Sequence, residues 1–180
     1  PQFSRIGGFL FYMVKFNRNQ KGSNCGILVL KCLNVGFSMS AVPDASSGLE
    51  AALANANRLL TVDPRLAEEQ TAEILKAIPN QPNALILQAL ANGRMNQWQA
   101  SVDLLRKLTI LQPKWAAAFM ELGLALRQVG LGNQAVIALK RSLFLKPDVP
   151  KAWLALADLH AAMGDTKAAD AAYSMQLKYA

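Results

Sequence analysis

Pro79, Pro113 and Pro147 are evenly spaced, and their period of about 34 residues confines the chain to a stack of similar helical units. Proline lacks an amide hydrogen and its ring clashes with the preceding turn, so each one closes a helix and precedes the next. Apolar residues at helical spacing flank all three. The pattern predicts helices over residues 66–77, 98–111 and 133–145 before the prolines, and over 83–95, 115–129 and 149–163 after them. A last helix covers Thr166–Tyr179 and a degenerate first one covers 49–60.

The junctions agree with this layout. Gly130 and Gly164, again one period apart, and Asn96 one repeat earlier can adopt the left-handed conformation that ends a helix. Asp63-Pro64 reads as an N-cap followed by a first-turn proline, and Asp165 or Thr166 can cap the last helix. A single helix pair of this size cannot bury its apolar face, whereas three or more stacked pairs form a continuous core.

The residues at these spacings resemble the tetratricopeptide repeat family. Stretch 116–147 carries Phe119, Leu122, Gly123, Leu126, Ala135, Leu139, Ser142 and Pro147 at the family's positions, and stretch 150–180 carries Trp153, Leu156, Ala157, His160, Gly164, Ala169 and Tyr173. Stretch 82–113 keeps Leu85, Ala89, Leu105 and Pro113 but departs at Gln88, Asn92 and Ser101. Stretch 48–79 is degenerate and keeps Ala67, Ile74 and Pro79. The resemblance implies an all-α fold, a right-handed superhelical solenoid of about four antiparallel helix pairs over residues 48–180, with a concave inner surface. Gly123, Ala157, Ala135 and Ala169 would let paired helices approach closely, and Phe119, Trp153, Leu139 and Tyr173 would fill the space between pairs.

The same resemblance places a groove on the first helix of each pair. It would hold an apolar strip of Ile86, Leu90, Met120, Leu124 and Leu154, edged by Arg94, Arg127 and Lys151, with Asp158 beside them. Family members that clamp the carboxylate end of a heat-shock chaperone carry Lys and Asn where this chain has Ile86, Met120 and Leu154, and Leu90, Leu124 and Asp158, which argues against such a clamp. The strip suits a peptide, an amphipathic helix or an adjoining domain of the same chain, or else it completes the packing of a tight superhelix. If it binds, Asp at Met120 and Leu124 should abolish capture without unfolding.

Charge does not point to a polyanion. The net charge of +7 includes five basic residues from residues 1–40, a segment with no Asp, Glu or Ala, both cysteines and five of the seven Phe. Residues 41–180 carry fourteen basic and twelve acidic residues, a balance of +2, and all 29 alanines. Nucleic acid is therefore not expected as a partner, and a basic nucleic-acid binder is the weakest alternative. The basic pairs Arg106-Lys107 and Lys140-Arg141 recur one period apart on second helices whose outer faces are expected to be solvated, with Asp103 one turn before Lys107 as a supporting partner. With 52% hydrophobic and 17% charged residues the chain lacks the composition of a disordered tail. Its apolar stretches fall short of the ~18–20 residues that span a bilayer.

Catalytic chemistry is not indicated. His160, the one histidine, falls at a packing position. Gly130-Leu131-Gly132 follows a helix rather than a strand and lacks the Lys-Ser/Thr of a phosphate loop. Trp98, Trp115 and Trp153 occupy packing positions. Cys25 and Cys32 have no companion ligands at metal spacing, so neither a metal nor a cofactor is expected. Residues 41–47 read as a linker. The composition break at Met39-Ser40 is most simply explained by a natural start at Met39, with residues 1–38 read from upstream. The last helix ends at Ala180 without a polar capping helix, which implies that more chain follows. Asp63-Pro64-Arg65-Leu66-Ala67-Glu68-Glu69, Glu73-Ile74-Leu75-Lys76-Ala77-Ile78-Pro79, Pro113-Lys114-Trp115-Ala116-Ala117 and Gly164-Asp165-Thr166-Lys167-Ala168-Ala169 also resemble the N-terminal repeats of bacterial proteins that join tetratricopeptide repeats to a sulfotransferase domain. That likeness implies a docking or substrate-presenting arm, with the 3′-phosphoadenylyl sulfate site downstream. The expectation is a cytoplasmic, non-catalytic scaffold for a protein or peptide, with no membrane partner.

Overall fold

The computed structural model describes residues 4–6, 9–11 and 45–180, with side chains from residue 47 onward. The chain divides into two units, Pro1–Val42 and Pro43–Ala180. In the first, β1 (Ser4–Ile6) and β2 (Phe9–Phe11) pair antiparallel, with Ser4 opposite Phe11 and Ile6 opposite Phe9. Strand-favouring residues such as Ile6, Phe9 and Phe11 account for this pairing, which helical periodicity did not reveal. Cys25, Cys32 and Met39 lie outside the described residues.

The second unit is helical throughout: α1 (Ala45–Val62), α2 (Pro64–Ala77), α3 (Pro82–Arg94), α4 (Trp98–Leu111), α5 (Ala116–Gln128), α6 (Gly132–Leu145), α7 (Pro150–Ala162) and α8 (Thr166–Tyr179). Every helix after α1 lies close to its predicted bounds, α4 and α8 match them, and α2 begins at Pro64, the first-turn proline. The first helix is longer than the degenerate pattern implies, because Ala- and Leu-rich sequence sustains a helix where the apolar period fades. It takes in residues 45–47, so the linker read from sequence is shorter by that much.

Consecutive helices pack antiparallel. In addition α1 meets α3, α3 meets α5 and α5 meets α7, whereas among the described residues the backbones of second helices in adjacent pairs do not approach closely. First helices therefore form the inner layer and second helices the outer one, which is the curvature of a right-handed superhelical solenoid of antiparallel helix pairs. A continuous core of Leu85, Leu105, Leu122, Leu126, Leu139, Leu156 and smaller residues runs from α3 to α8. A smaller cluster of Ala56, Leu60, Ala67, Leu87 and Ala91 joins the first pair to α3.

Local chemistry sets the turns. Asn96, Gly130 and Gly164 end α3, α5 and α7 with φ of 60°, 84° and 80°. Asp63 accepts hydrogen bonds from the amides of Arg65 and Leu66 at 3.0 and 3.4 Å, and Asp165 accepts one from Ala168 at 3.1 Å. Asn80 also has a positive φ, 68°, and Gln81 caps α3 by accepting from the Ala84 amide at 2.7 Å; neither follows from the repeat pattern. Gly123 brings α5 against α6, where an added Cβ would lie 2.6 Å from Leu139 Cγ. Across the same pair Ser142 Oγ donates to the Ala116 carbonyl at 2.8 Å.

Candidate functional site

The inner layer of first helices encloses a pocket of about 480 Å³. Its apolar wall is Leu90 and Leu124, with Leu105 and Trp98 behind them, and its rim is Arg94, Glu121, Gln128 and Lys151. Four of the nine residues placed in the groove by sequence thus meet here: Leu90, Arg94, Leu124 and Lys151. Ile86 and Met120 are half-buried and pack on the core, Ile86 touching both clusters. Leu154, on α7, is the exposed member of the strip at 42%.

The charged residues at the edge all have partners within the fold. Arg127 Nη1 donates to Asp158 Oδ2 at 3.2 Å, Lys151 Nζ lies 3.6 Å from Glu121 Oε1, and Arg94 donates to the Leu60 carbonyl at the end of α1. Surface pairs of this kind contribute about 0–1 kcal/mol each, so a partner's carboxylates can exchange with them at little cost. Glu121 and Trp98 were missed from sequence. The groove positions carried over from the family exclude Glu121, and Trp98 enters only because Gly93 leaves room for its ring, with an added Cβ at 2.9 Å from Cζ3.

Tyr173 links the inner rim to α8 by donating its hydroxyl to Asp158 Oδ1 at 3.0 Å. That hydrogen bond, followed by burial and the negative charges of Asp158 and Asp170, raises the phenol above its ordinary value of 10.0. Because the folded value is raised, the contact stabilises fully below the ordinary value and is lost as pH rises through the elevated one. A phenolate absorbance titration, with the Tyr173 component isolated by Tyr173→Phe, should show late ionisation that Asp158→Ala moves back toward the ordinary range. An unchanged Tyr173 titration in Asp158→Ala would contradict the contact.

Other candidate groups take structural places. His160 is buried, with Nδ1 3.6 Å from Asp165 Oδ2. Gly130 ends α5 and Gly132 begins α6, so that dipeptide neighbourhood is a turn. Trp153 Nε1 donates to the Pro147 carbonyl at 2.7 Å. Asp103 accepts from Gln99 at 3.3 Å instead of pairing with Lys107, because both long side chains on this exposed face have free choice of partner. Among the described residues no cluster of His, Cys, Asp and Glu could hold a metal, and no helix is long and apolar enough to cross a membrane.

No family model matches the chain, and no curated protein matches it by sequence. Solved structures do match. A crystal structure of MamA is 20% identical with a TM-score of 0.68, covering 75% of this chain and 80% of that one. MamA 41-end from Desulfovibrio magneticus RS-1 is 20% identical with a TM-score of 0.67, covering 73% and 75%. MamA MSR-1 is 21% identical with a TM-score of 0.63, covering 77% and 80%. At these identities the likeness shows a shared fold of the tetratricopeptide type.

Proposed function

We propose that the chain is a non-catalytic scaffold that holds an apolar segment of a protein partner along its concave face. The observation that supports this most directly is the open inner pocket, with an apolar wall at Leu90 and Leu124 and the exchangeable pair of Lys151 and Glu121 on its rim. An amphipathic helix would lay its apolar side on that wall and along Leu154. The reading includes no nucleic-acid, membrane, metal or cofactor partner. It also includes a cytoplasmic location, supported by a sequence whose two cysteines supply no disulfide framework.

Met120 and Leu124 pack on the core, so Asp at either one would disturb folding as well as binding. The cleaner test is Leu154→Asp with Lys151→Glu, both at exposed positions. Affinity for a captured partner should fall by about tenfold or more while the helical circular dichroism stays unchanged. Unaltered capture by this variant would refute the assignment.

The finer form of the proposal makes the occupant a sulfotransferase domain of the same protein. It is supported by the sequence phrases around Asp63-Pro64 and Gly164-Asp165. Reading the gene past Ala180 tests it: an α/β domain with a phosphate loop supports it, and a stop codon there removes it.

A further inference from the structure

The outer faces of α4 and α6 repeat one another. Arg106, Lys107 and Ile110 on α4 stand one full period before Lys140, Arg141 and Phe144 on α6. All six are exposed, Ile110 at 80% and Phe144 at 78%, and Ile137 beside them is 69% exposed. The equivalent face of α2 is Glu69, Ala72, Glu73 and Lys76, so cations flanking exposed apolar groups are not a general property of the outer layer. Among the described residues none of the four cations forms an ion pair. Asp103 is the one carboxylate on these two helices.

A cleft runs between the two faces because the backbones of second helices in adjacent pairs do not approach closely. Its volume is about 370 Å³, its floor is Leu122 and Leu126 of α5, and its walls include Phe119, Ile137, Arg106 and Arg141. Arg106 reaches across to Gln134 Oε1 at 2.8 Å, and the Arg141 guanidinium lies 5.3 Å from the Phe144 ring centre. The guanidinium groups are thus held beside the opening.

We propose that this outer cleft is a second docking site, which takes an acidic amphipathic helix of a protein partner. One large apolar side chain enters the cleft, and carboxylates on the flanks meet Arg106 and Arg141. The charge selects the partner: Arg106 and Arg141 on the cleft walls, with Lys107 and Lys140 exposed on the same two helices, favour an acidic segment and repel a basic one. The recess selects a helix over a lipid surface. A flat anionic membrane would rest on Ile110 and Phe144 and leave the floor at Leu122 and Leu126 unfilled. The site lies in the outer layer and does not depend on the concave-face reading.

The test is fluorescence anisotropy of the full chain with a labelled synthetic helix of about 15 residues, bearing Leu and Phe on one face and Glu on both flanks. Binding should weaken as salt is raised. The double charge reversal Arg106→Glu with Arg141→Glu should weaken it by about tenfold or more, and Leu154→Asp on the concave face should leave it unchanged. No binding to the full chain overturns the proposal, as does equal affinity for a peptide with Gln in place of Glu. Cosedimentation with phosphatidylserine vesicles, lost on charge reversal and without peptide binding, assigns the face to a membrane instead. Self-association lost on the same reversal, again without peptide binding, assigns it to the acidic α2 face of a second copy.

Discussion

Gly123→Ala is expected to destabilise the solenoid by up to about 2 kcal/mol, and to stabilise it by up to about 1 kcal/mol when Leu139 is already Ala. The change of sign follows from the contact between α5 and α6. An added Cβ would lie 2.6 Å from Leu139 Cγ, 2.9 Å from its Cδ2 and 3.2 Å from the Ala135 carbonyl. Leu139 is fully buried, so it cannot swing aside into solvent. Overpacking of this sort costs about 1–3 kcal/mol, against about 1 kcal/mol gained when Ala replaces Gly inside a helix. Leu139→Ala alone leaves a cavity and costs about 2–5 kcal/mol. In that background both Leu139 contacts are gone and the new methyl fills part of the gap, leaving only the 3.2 Å approach to the Ala135 carbonyl, which a shift of a few tenths of an ångström relieves, so the gains outweigh the cost. Urea unfolding of the wild type, the two single variants and the double variant measures the coupling. Additive effects would mean that the helices do not meet at Gly123.

The same contact shows what was legible in the sequence. Gly123 was readable as a close-approach position because Gly123, Leu139 and Pro147 fall at spaced positions of a recurring pattern. Gly93 was not, since its neighbour Trp98 lies on the following helix and no equivalent pair recurs in the next repeat. The helix order, the turns at Asn96, Gly130 and Gly164, and the caps at Asp63 and Asp165 came from residues whose conformational preferences act locally. The groove was harder to read. Position along a first helix says which way a side chain points, but whether it is open or packed depends on how closely neighbouring pairs approach. Ile86 and Met120 therefore turned out half-buried while Leu154 stayed exposed. Pairing of Arg127 with Asp158 and of Lys151 with Glu121 crosses between repeats, so it could not be derived from either helix alone. The basic pairs at Arg106-Lys107 and Lys140-Arg141 were seen as solvated; their significance needed the cleft that separation of the second helices opens.

Leu105→Ala should cost about 2–5 kcal/mol, and Tyr173→Ala less, about 1–2 kcal/mol, although the two residues occupy equivalent positions two repeats apart. Thr71, Leu105, Leu139 and Tyr173 mark the same position in four successive repeats. Leu105 is 1% exposed, and its side chain joins the core shared by α3, α4 and α5. Tyr173 is half-buried, and its hydroxyl partner Asp158 is accessible, so truncation there removes less packing and leaves a carboxylate that water can solvate. Thr71 is fully buried, but its hydroxyl bonds to the carbonyls of Ala67 and Glu68 at 2.9 Å each, within its own helix. It therefore supplies less apolar contact to its neighbours than leucine does, which fits the small separate cluster at the first pair. Because each pair contacts only its neighbours, the loss at Leu105 should be local before it is global. Native-state hydrogen exchange of Leu105→Ala should speed up first in α3, α4 and α5, with α8 least affected. Equal acceleration from α1 to α8 would instead show one cooperative unit. Leu105 also lines the concave pocket, so the same truncation enlarges the wall behind Leu90 and Leu124 and should weaken partner capture, coupling the stability of the middle pairs to the shape of the groove.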